Sequence, residues 1–181
     1  MVNGFIIKCI HSVVQTILNS EAEIESLDRA IGDGDHYINI KRGSMAVQSI
    51  ESELTSLPPD QAFKKIGMTI MTSVGGASGP LFASFFLALA KEIKSETNLQ
   101  QFSKGFTSGV KSIMDRGKSK LGDKTMLDVL IPVSEKLQLL ANEGCEKQEL
   151  IKEIDSIAMA GVIATKDMMP SKGRSAGLAE R

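Results

Sequence analysis

An all-α fold is what this sequence predicts, on three observations. Apolar residues recur at spacings of three and four along nearly the whole chain. No stretch alternates apolar and polar residues as a half-buried strand does. The main proline and glycine clusters, Pro58-Pro59 and Gly75 to Pro80, fall between the periodic segments. With 181 residues the chain suits one domain, 1–181, with a full core. Periodicity alone does not separate a barrel from a bundle of antiparallel helices.

Ile6, Ile10, Val13, Val14 and Ile17 predict a first amphipathic helix. Ser20 followed by Glu23 reads as a capping box that restarts a helix toward Asp28. Ile38, Val47, Ile50 and Leu54 predict a third helix, weakened in its first turn by Gly43. Pro58 and Pro59 end it, and Asp60 is placed to cap the next. That next helix carries Ala62, Phe63, Ile66, Ile70 and Val74 on one face. Pro80 then opens a helix that is apolar nearly all round, so it should be central. Asn98 starts another, with Phe102, Phe106, Val110, Ile113 and Met114 in register. After a basic loop, Thr125 caps a helix that holds Pro132 and should kink there. Glu149 to Met168 is the last, with Leu150, Ile154, Ile157, Ala158 and Gly161 facing inward. Met68, Met71, Met126 and Met159 read as core filler.

Composition narrows the function classes. A net charge of -1 gives no bulk basic field for nucleic acid or anionic lipid. With no Trp and one Tyr there is no platform for stacking bases. Cys9 and Cys145 are too few for a disulfide framework and lack zinc spacing, which points to a reducing, cytoplasmic setting. The N-terminal stretch has a polar helical period and no cleavage-type end, so no signal peptide is expected. The most apolar run, Leu81 to Ala90, is far shorter than the ~20 residues of a spanning helix.

Chemistry concentrates in Leu27 to Gly43, LDRAIGDGDHYINIKRG. Asp28 closes a helix, and Asp33 and Asp35 lie in the glycine-containing loop after it. Carboxylate oxygens suit Mg²⁺ or Ca²⁺, and an extended path would turn both odd-numbered aspartates to one side. An acidic surface turn is the plain alternative. An EF-hand fails, because Ile38 stands where its glycine should be and Ser44 where its bidentate Glu should be. Mg²⁺ would share its shell with phosphates, which directs attention to Gly75-Gly76-Ala77-Ser78-Gly79-Pro80. A glycine-rich turn into a helix N-terminus offers N–H groups and a favourable dipole to an anion. The same small residues also suit close helix packing, and no Walker Lys follows.

Four stretches, LDRAIGDGDHYIN, GMTIMTSVGGASGPLF, RGKSKLGDKTMLDVLIPV and KGRSAGLAER, resemble in order the motifs of the nucleotide-binding (L) subunit of dihydroxyacetone kinases. The likeness runs along nearly the whole chain. It implies a barrel of eight antiparallel amphipathic helices with the nucleotide, ADP or ATP, held by loops at one end. It implies that Asp28, Asp33 and Asp35 hold two Mg²⁺ ions, and that His36, Tyr37, Ile38 and Asn39 line the nucleotide site. Ala77 and Ser78 match its phosphate contacts, Gly117 and Met126 its adenine and ribose neighbours, and Arg174 a basic residue reaching in from the C-terminal loop. The implied partners are a K subunit that holds dihydroxyacetone covalently through a histidine and, for a separate L chain, an M phosphocarrier of phosphotransferase type that recharges bound ADP. No general base is assigned within this chain. Tyr37 stands where the family has glycine, which predicts a strained backbone or a side chain over the site. The match ends at GLAER, before the family's DPGATS-type loop and last apolar helix, so an exposed apolar seam, a homodimer or weak nucleotide binding is expected. The competing reading is a nucleotide-binding regulator without transfer activity.

Overall fold

In the computed structural model, which describes residues 2–94, 97–173 and 176, the periodic segments are helices. They are α1 (Val2–Asn19), α2 (Glu21–Ile31), α3 (His36–Ser49), α4 (Glu51–Ser56), α5 (Pro59–Ser73), α6 (Ser78–Glu92), α7 (Leu99–Gly117), α8 (Leu127–Glu143) and α9 (Lys147–Ala164). A 3-10 turn, Thr165–Asp167, follows. No strand occurs among the described residues. The fold is all-α, as the periodicity predicts.

Each helix from α5 to α9 packs on the next, while α3 joins α1 to α5. The centre is α6, which packs on both α5 and α7 and exposes no residue between Leu81 and Ala90. One apolar cluster gathers Ile6, Ile10, Val47, Leu54, Ile66 and Ala83 from α1, α3, α4, α5 and α6. A second gathers Phe85, Leu89, Val110, Ile113 and Leu127 from α6, α7 and α8. Phe63 and Phe86 pack against both. Edge-on ring pairs of Phe85 with Phe86 and with Phe106 fix the α6–α7 contact, at centroid distances of 5.3 and 5.2 Å. Among the described residues no helix is long and apolar enough to cross a membrane.

Several local expectations change. α2 starts where Ser20 places it, but Ser20 makes no side-chain capping bond. Its backbone (φ -98, ψ 13) lies near the helical region, so α1 runs almost directly into α2. The third helix is two, broken at Ile50. The break lets α4 turn onto α1, where the Asn3 amide donates to the Leu54, Thr55 and Leu57 carbonyls. These are the open carbonyls of a helix C-terminus. Ile38 is exposed and the buried face of α3 carries Tyr37, Asn39, Gly43 and Val47 instead. Gly43 sits against Val74, where a β-carbon would meet the valine methyl at 2.0 Å. Asp60 is not the cap of α5, because Pro59 already occupies the first turn and Pro58 the cap position. Met68, Met71 and Met159 are exposed rather than core, and only Met126 packs against a cluster. The last helix begins at Lys147 and gives way to the 3-10 turn before Met168.

Asn98 behaves as read, accepting a bond from the Gln101 N–H at 2.9 Å. Pro132 lies inside α8. α9 buries only Gly161, against the Asp128 carbonyl, and its Leu150, Ile154, Ile157 and Ala158 are half-buried on the expected face. Ile151, Met159, Val162 and Ile163 of α9 are exposed, as are Phe5 and Val13 of α1.

Candidate metal and nucleotide site

The connections that follow α2, α5 and α7, with the segment after α9, meet at one end of the helices. A β-carbon on Gly75 would stand 2.5 Å from the Asn39 oxygen, so the glycine turn touches α3. One on Gly117 would stand 3.5 Å from Leu81, so the end of α7 touches the start of α6. Ser171 donates its hydroxyl to Asp123 at 2.8 Å, and the Lys124 ammonium donates to the Lys166 carbonyl at 3.4 Å. These bonds tie the segment after α9 to the α7–α8 loop.

Asp28, Asp33 and Asp35 each offer a carboxylate oxygen, all within 4.8 Å of one another. Two oxygens on opposite sides of one Mg²⁺ at ~2.1 Å lie ~4.2 Å apart, so this spread suits one ion after slight closure or a pair of ions. The donor set is all oxygen, as a hard cation requires. Asp28 is half-buried, while Asp33 and Asp35 are exposed. The loop does not reach this geometry by an extended path. Gly34 is left-handed (φ 76) and Asp35 already helical (φ -104, ψ -5), so a tight turn, not alternation, brings the carboxylates together. The Asp28 carbonyl accepts the Gly32 N–H, and its carboxylate accepts the His36 N–H at 3.0 Å. A β-carbon at Gly32 would lie 2.1 Å from the Asp28 carboxylate, so only glycine lets the chain pass so close. An apolar hollow lined by Ile24, Leu27, Ile31 and Ile40 adjoins Asp28 and His36.

The α6 N-terminus faces this end with Ala77 at the cap position and no side-chain capping bond. Its first-turn N–H groups are thus not taken by a capping side chain, which is the condition for anion binding. Gly76 is left-handed (φ 67), and a β-carbon at Gly79 would lie 2.3 Å from the Val74 carbonyl. Opposite, the α7–α8 loop is held by buried acids. Asp128, 2% exposed, accepts the Gly122 and Thr125 N–H groups. Met126, at the cap position of α8, has no side-chain capping bond and is itself helical (φ -55, ψ -20); one residue earlier the Thr125 hydroxyl accepts the Leu127 N–H at 3.1 Å, so Thr125 takes the capping role with Asp128 as its reciprocal partner. The T-x-x-D spacing of Thr125 and Asp128 is the sequence signal for this pair. The Lys120 N–H, then the Ser171 hydroxyl, hold the Asp123 carboxyl below its usual range, with Lys172 and Lys120 adding charge. Lys118 and Lys124 are left-handed (φ 51 and 56), the only non-glycine residues so placed among those described.

The structure thus brings together Asp28, Asp33 and Asp35, and sets Asn39, Ala77, Ser78, Gly117 and Met126 on the elements around them. His36 is exposed beside Asp28 and Ile38 is exposed. Tyr37 departs from the expectation attached to it. It lies in α3 with an ordinary negative φ, is 2% exposed and donates its hydroxyl to Glu21 at 3.0 Å. Glu21 is seven residues before Asp28 on α2, about 10 Å along the axis, so the ring points away from the carboxylates. Lys41 lies over that ring at 5.2 Å. Arg174 lies outside the described residues. Arg42, which no motif singled out, bonds both Asn39 and the Ser73 carbonyl.

A DAK2-domain family model matches residues 30–181. The chain is 36% identical over 168 residues to the PEP-dependent dihydroxyacetone kinase ADP-binding subunit DhaL of Escherichia coli, covering 91% of this chain and 80% of that protein. To the PTS-dependent dihydroxyacetone kinase ADP-binding subunit DhaL of Lactococcus lactis it is 37% identical over 169 residues, covering 92% and 80%. Its fold is similar to the crystal structure of the C. freundii dihydroxyacetone kinase in complex with AMP-PNP and Mg²⁺. The TM-score there is 0.76 at 22% identity, over 96% of this chain and 31% of that one.

Proposed function

The chain belongs to the DAK2-domain family, and from that premise we propose that it is the ADP-binding, phosphoryl-transferring subunit of a multi-subunit dihydroxyacetone kinase. The observation that carries this reading is the grouping of three carboxylates within 4.8 Å at the same end of the fold as the glycine turn before α6. Asp28, Asp33 and Asp35 would hold Mg²⁺, as two ions, at the diphosphate. Bound Mg²⁺ supplies charge neutralisation at the phosphate oxygens. The Ala77 and Ser78 N–H groups, at the positive end of α6, orient those oxygens. His36, Ile38 and Asn39 border the phosphates from α3. Gly117 would leave room for the base, Met126 would lie against it, and Arg174, by its chemistry, would supply a forked donor to the nucleotide.

Phosphoryl transfer needs positioning and electrostatic support more than covalent chemistry from the protein. The chain's residues meet those two needs. Activation of the substrate hydroxyl belongs to the K subunit that holds dihydroxyacetone. The relatives' names, PEP- and PTS-dependent, support an M phosphocarrier as the source that recharges ADP in place. Self-association through the exposed apolar side chains of α1 and α9, and a cytoplasmic location, complete the proposal.

A thermal-shift titration with ADP and Mg²⁺ tests it. Ligand at 100 times Kd adds about 2.7 kcal/mol, or about 5–10 °C for a chain of this size. Asp33→Asn should remove that shift, and a shift retained in full would sink the metal assignment. A coupled assay with K and M subunits and dihydroxyacetone then reads turnover. Binding without turnover would return the regulator reading.

A further inference from the structure

We propose that Arg42 is a positioning residue: it fixes the side-chain amide of Asn39 with its NH₂ group toward the phosphates, and locks the glycine turn to the carboxylate-bearing helix. This rests on the nucleotide site proposed above. The Arg42 guanidinium spans two elements. Its Nε donates to the Ser73 carbonyl at the end of α5, at 2.7 Å, and its Nη2 donates to the Asn39 oxygen, also at 2.7 Å. A guanidinium has donors and no acceptor, so the Asn39 atom facing it must be the oxygen. The amide therefore has one orientation, with the NH₂ on the side away from Arg42.

Asn39 is 8% exposed, and its Nδ2 has no acceptor among the described residues. That nitrogen is not sealed from solvent, so an acceptor that a ligand supplies can reach it. Asn39 stands one turn above Asp35 on α3, its N–H bonded to the Asp35 carbonyl at 3.1 Å. Its oxygen also abuts Gly75, where a β-carbon would fall 2.5 Å from that oxygen and 3.1 Å from Arg42 Nη2. The NH₂ group therefore turns away from Arg42, on the helix face that Asn39 shares with Asp35 one turn below, where it can meet an oxygen of a phosphate bound at the carboxylates. Ser73 is two residues before Gly75, so the same guanidinium sets the approach of that turn to α3.

The experiment compares the full-length protein with Arg42→Met, Arg42→Lys and Asn39→Asp by calorimetric titration with ADP plus Mg²⁺, and by Mn²⁺ binding without nucleotide. Loss of one well-oriented donor to a charged oxygen raises the ADP·Mg Kd about tenfold in Arg42→Met. Mn²⁺ binding alone should stay within about twofold, because Arg42 touches none of the three aspartates. Arg42→Lys keeps the charge but not the fork, and recovers only part of the loss. Asn39→Asp keeps the acceptor that Arg42 needs while putting a carboxylate toward phosphate, and it loses ADP affinity. Equal ADP·Mg affinity in Arg42→Met or Asn39→Asp would overturn the inference. So would a parallel loss of Mn²⁺ and ADP binding that tracks lowered stability. Wild type that fails to bind ADP·Mg would overturn the nucleotide reading itself, a distinct result.

Discussion

Replacing Asp128 with Asn should loosen the α7–α8 loop and weaken the fold with little change in shape. The carboxylate is 2% exposed, and each of its oxygens accepts a backbone N–H, from Gly122 and from Thr125. Asparagine keeps one acceptor and turns an NH₂ donor toward the other N–H. Loss of one hydrogen bond to a charged group costs about 1.5–3 kcal/mol. The lost negative charge in the first turn of α8 adds about 0.3–1 kcal/mol. Relief from burying a charge offsets part of this. The net expectation is about 2–3 kcal/mol, which lowers Tm by about 4–12 °C for a chain of this size. Urea unfolding followed by circular dichroism measures it, as a lower midpoint at unchanged slope. Trypsin supplies a local readout, because Lys118, Lys120 and Lys124 all lie in the loop that Asp128 holds, and cleavage there should quicken. A change under about 0.5 kcal/mol, the range of an ordinary surface substitution, would refute the idea that this acid organises the loop.

Other perturbations separate structural from ligand-facing residues. Gly79→Ala gains about 1 kcal/mol of helix propensity but sets a methyl 2.3 Å from the Val74 carbonyl, an overpacking cost of about 1–3 kcal/mol. The balance should be a less stable protein with weaker ADP·Mg protection, and a raised Tm would contradict the close approach of turn and helix. Tyr37→Phe removes only the bond to Glu21 and should cost about 1 kcal/mol while leaving the ADP·Mg shift intact. A lost shift would put that hydroxyl at the nucleotide. Asp123 has a depressed folded pKa, so its contribution is present above the unfolded value of about 3.9 and is lost as pH falls through the lower folded value. The Ser171 N–H resonance should therefore titrate below about pH 3.9, and a midpoint at or above that value would mean the Asp123–Ser171 contact does not form in solution.

Helices were legible wherever one face had to be buried. Ala62, Ile66 and Ile70, or Val110 and Ile113, sit at their predicted register because core burial and helical period demand the same residues. What escaped was set by partners distant in sequence. The break at Ile50 exists because α4 turns to meet Asn3, 51 residues from Leu54, and no local pattern encodes that. Ser20–Glu23 has capping-box spacing, yet α1 runs into α2 with no extended cap residue to use it. Met68 and Met159 are apolar and still exposed, because period alone does not say how much of a helix its neighbours cover. At the site, the carboxylate residues were readable from their chemistry, but the turn at Gly34 that gathers them was not. Arg42 was invisible because its partners, Asn39 and the Ser73 carbonyl, meet only when α3 packs on α5.

The two halves of the site rest on very unequal foundations. The glycine turn leads into α6, the helix shared by both apolar clusters, so its N–H groups are fixed by the deepest packing in the fold. Asp28 is carried by α2, which has no buried residue, packs on α3 alone among the substantial helix pairs and exposes Leu27 and Ile31. Near Asp28, the bond from the His36 N–H to the Asp28 carboxylate joins α2 to α3. A helix with so little burial opens locally at low free energy. An ion bridging Asp28 to Asp33 and Asp35 would cross-link α2 to α3, so the ligand, not the core, would fix that side of the site. Hydrogen exchange should then show α2 amides slowed by ADP and Mg²⁺ together, with α6 amides already slow and little changed. Protection concentrated in α6, with α2 unaffected, would mean that the carboxylate side does not close on the ligand and that the cation is held elsewhere.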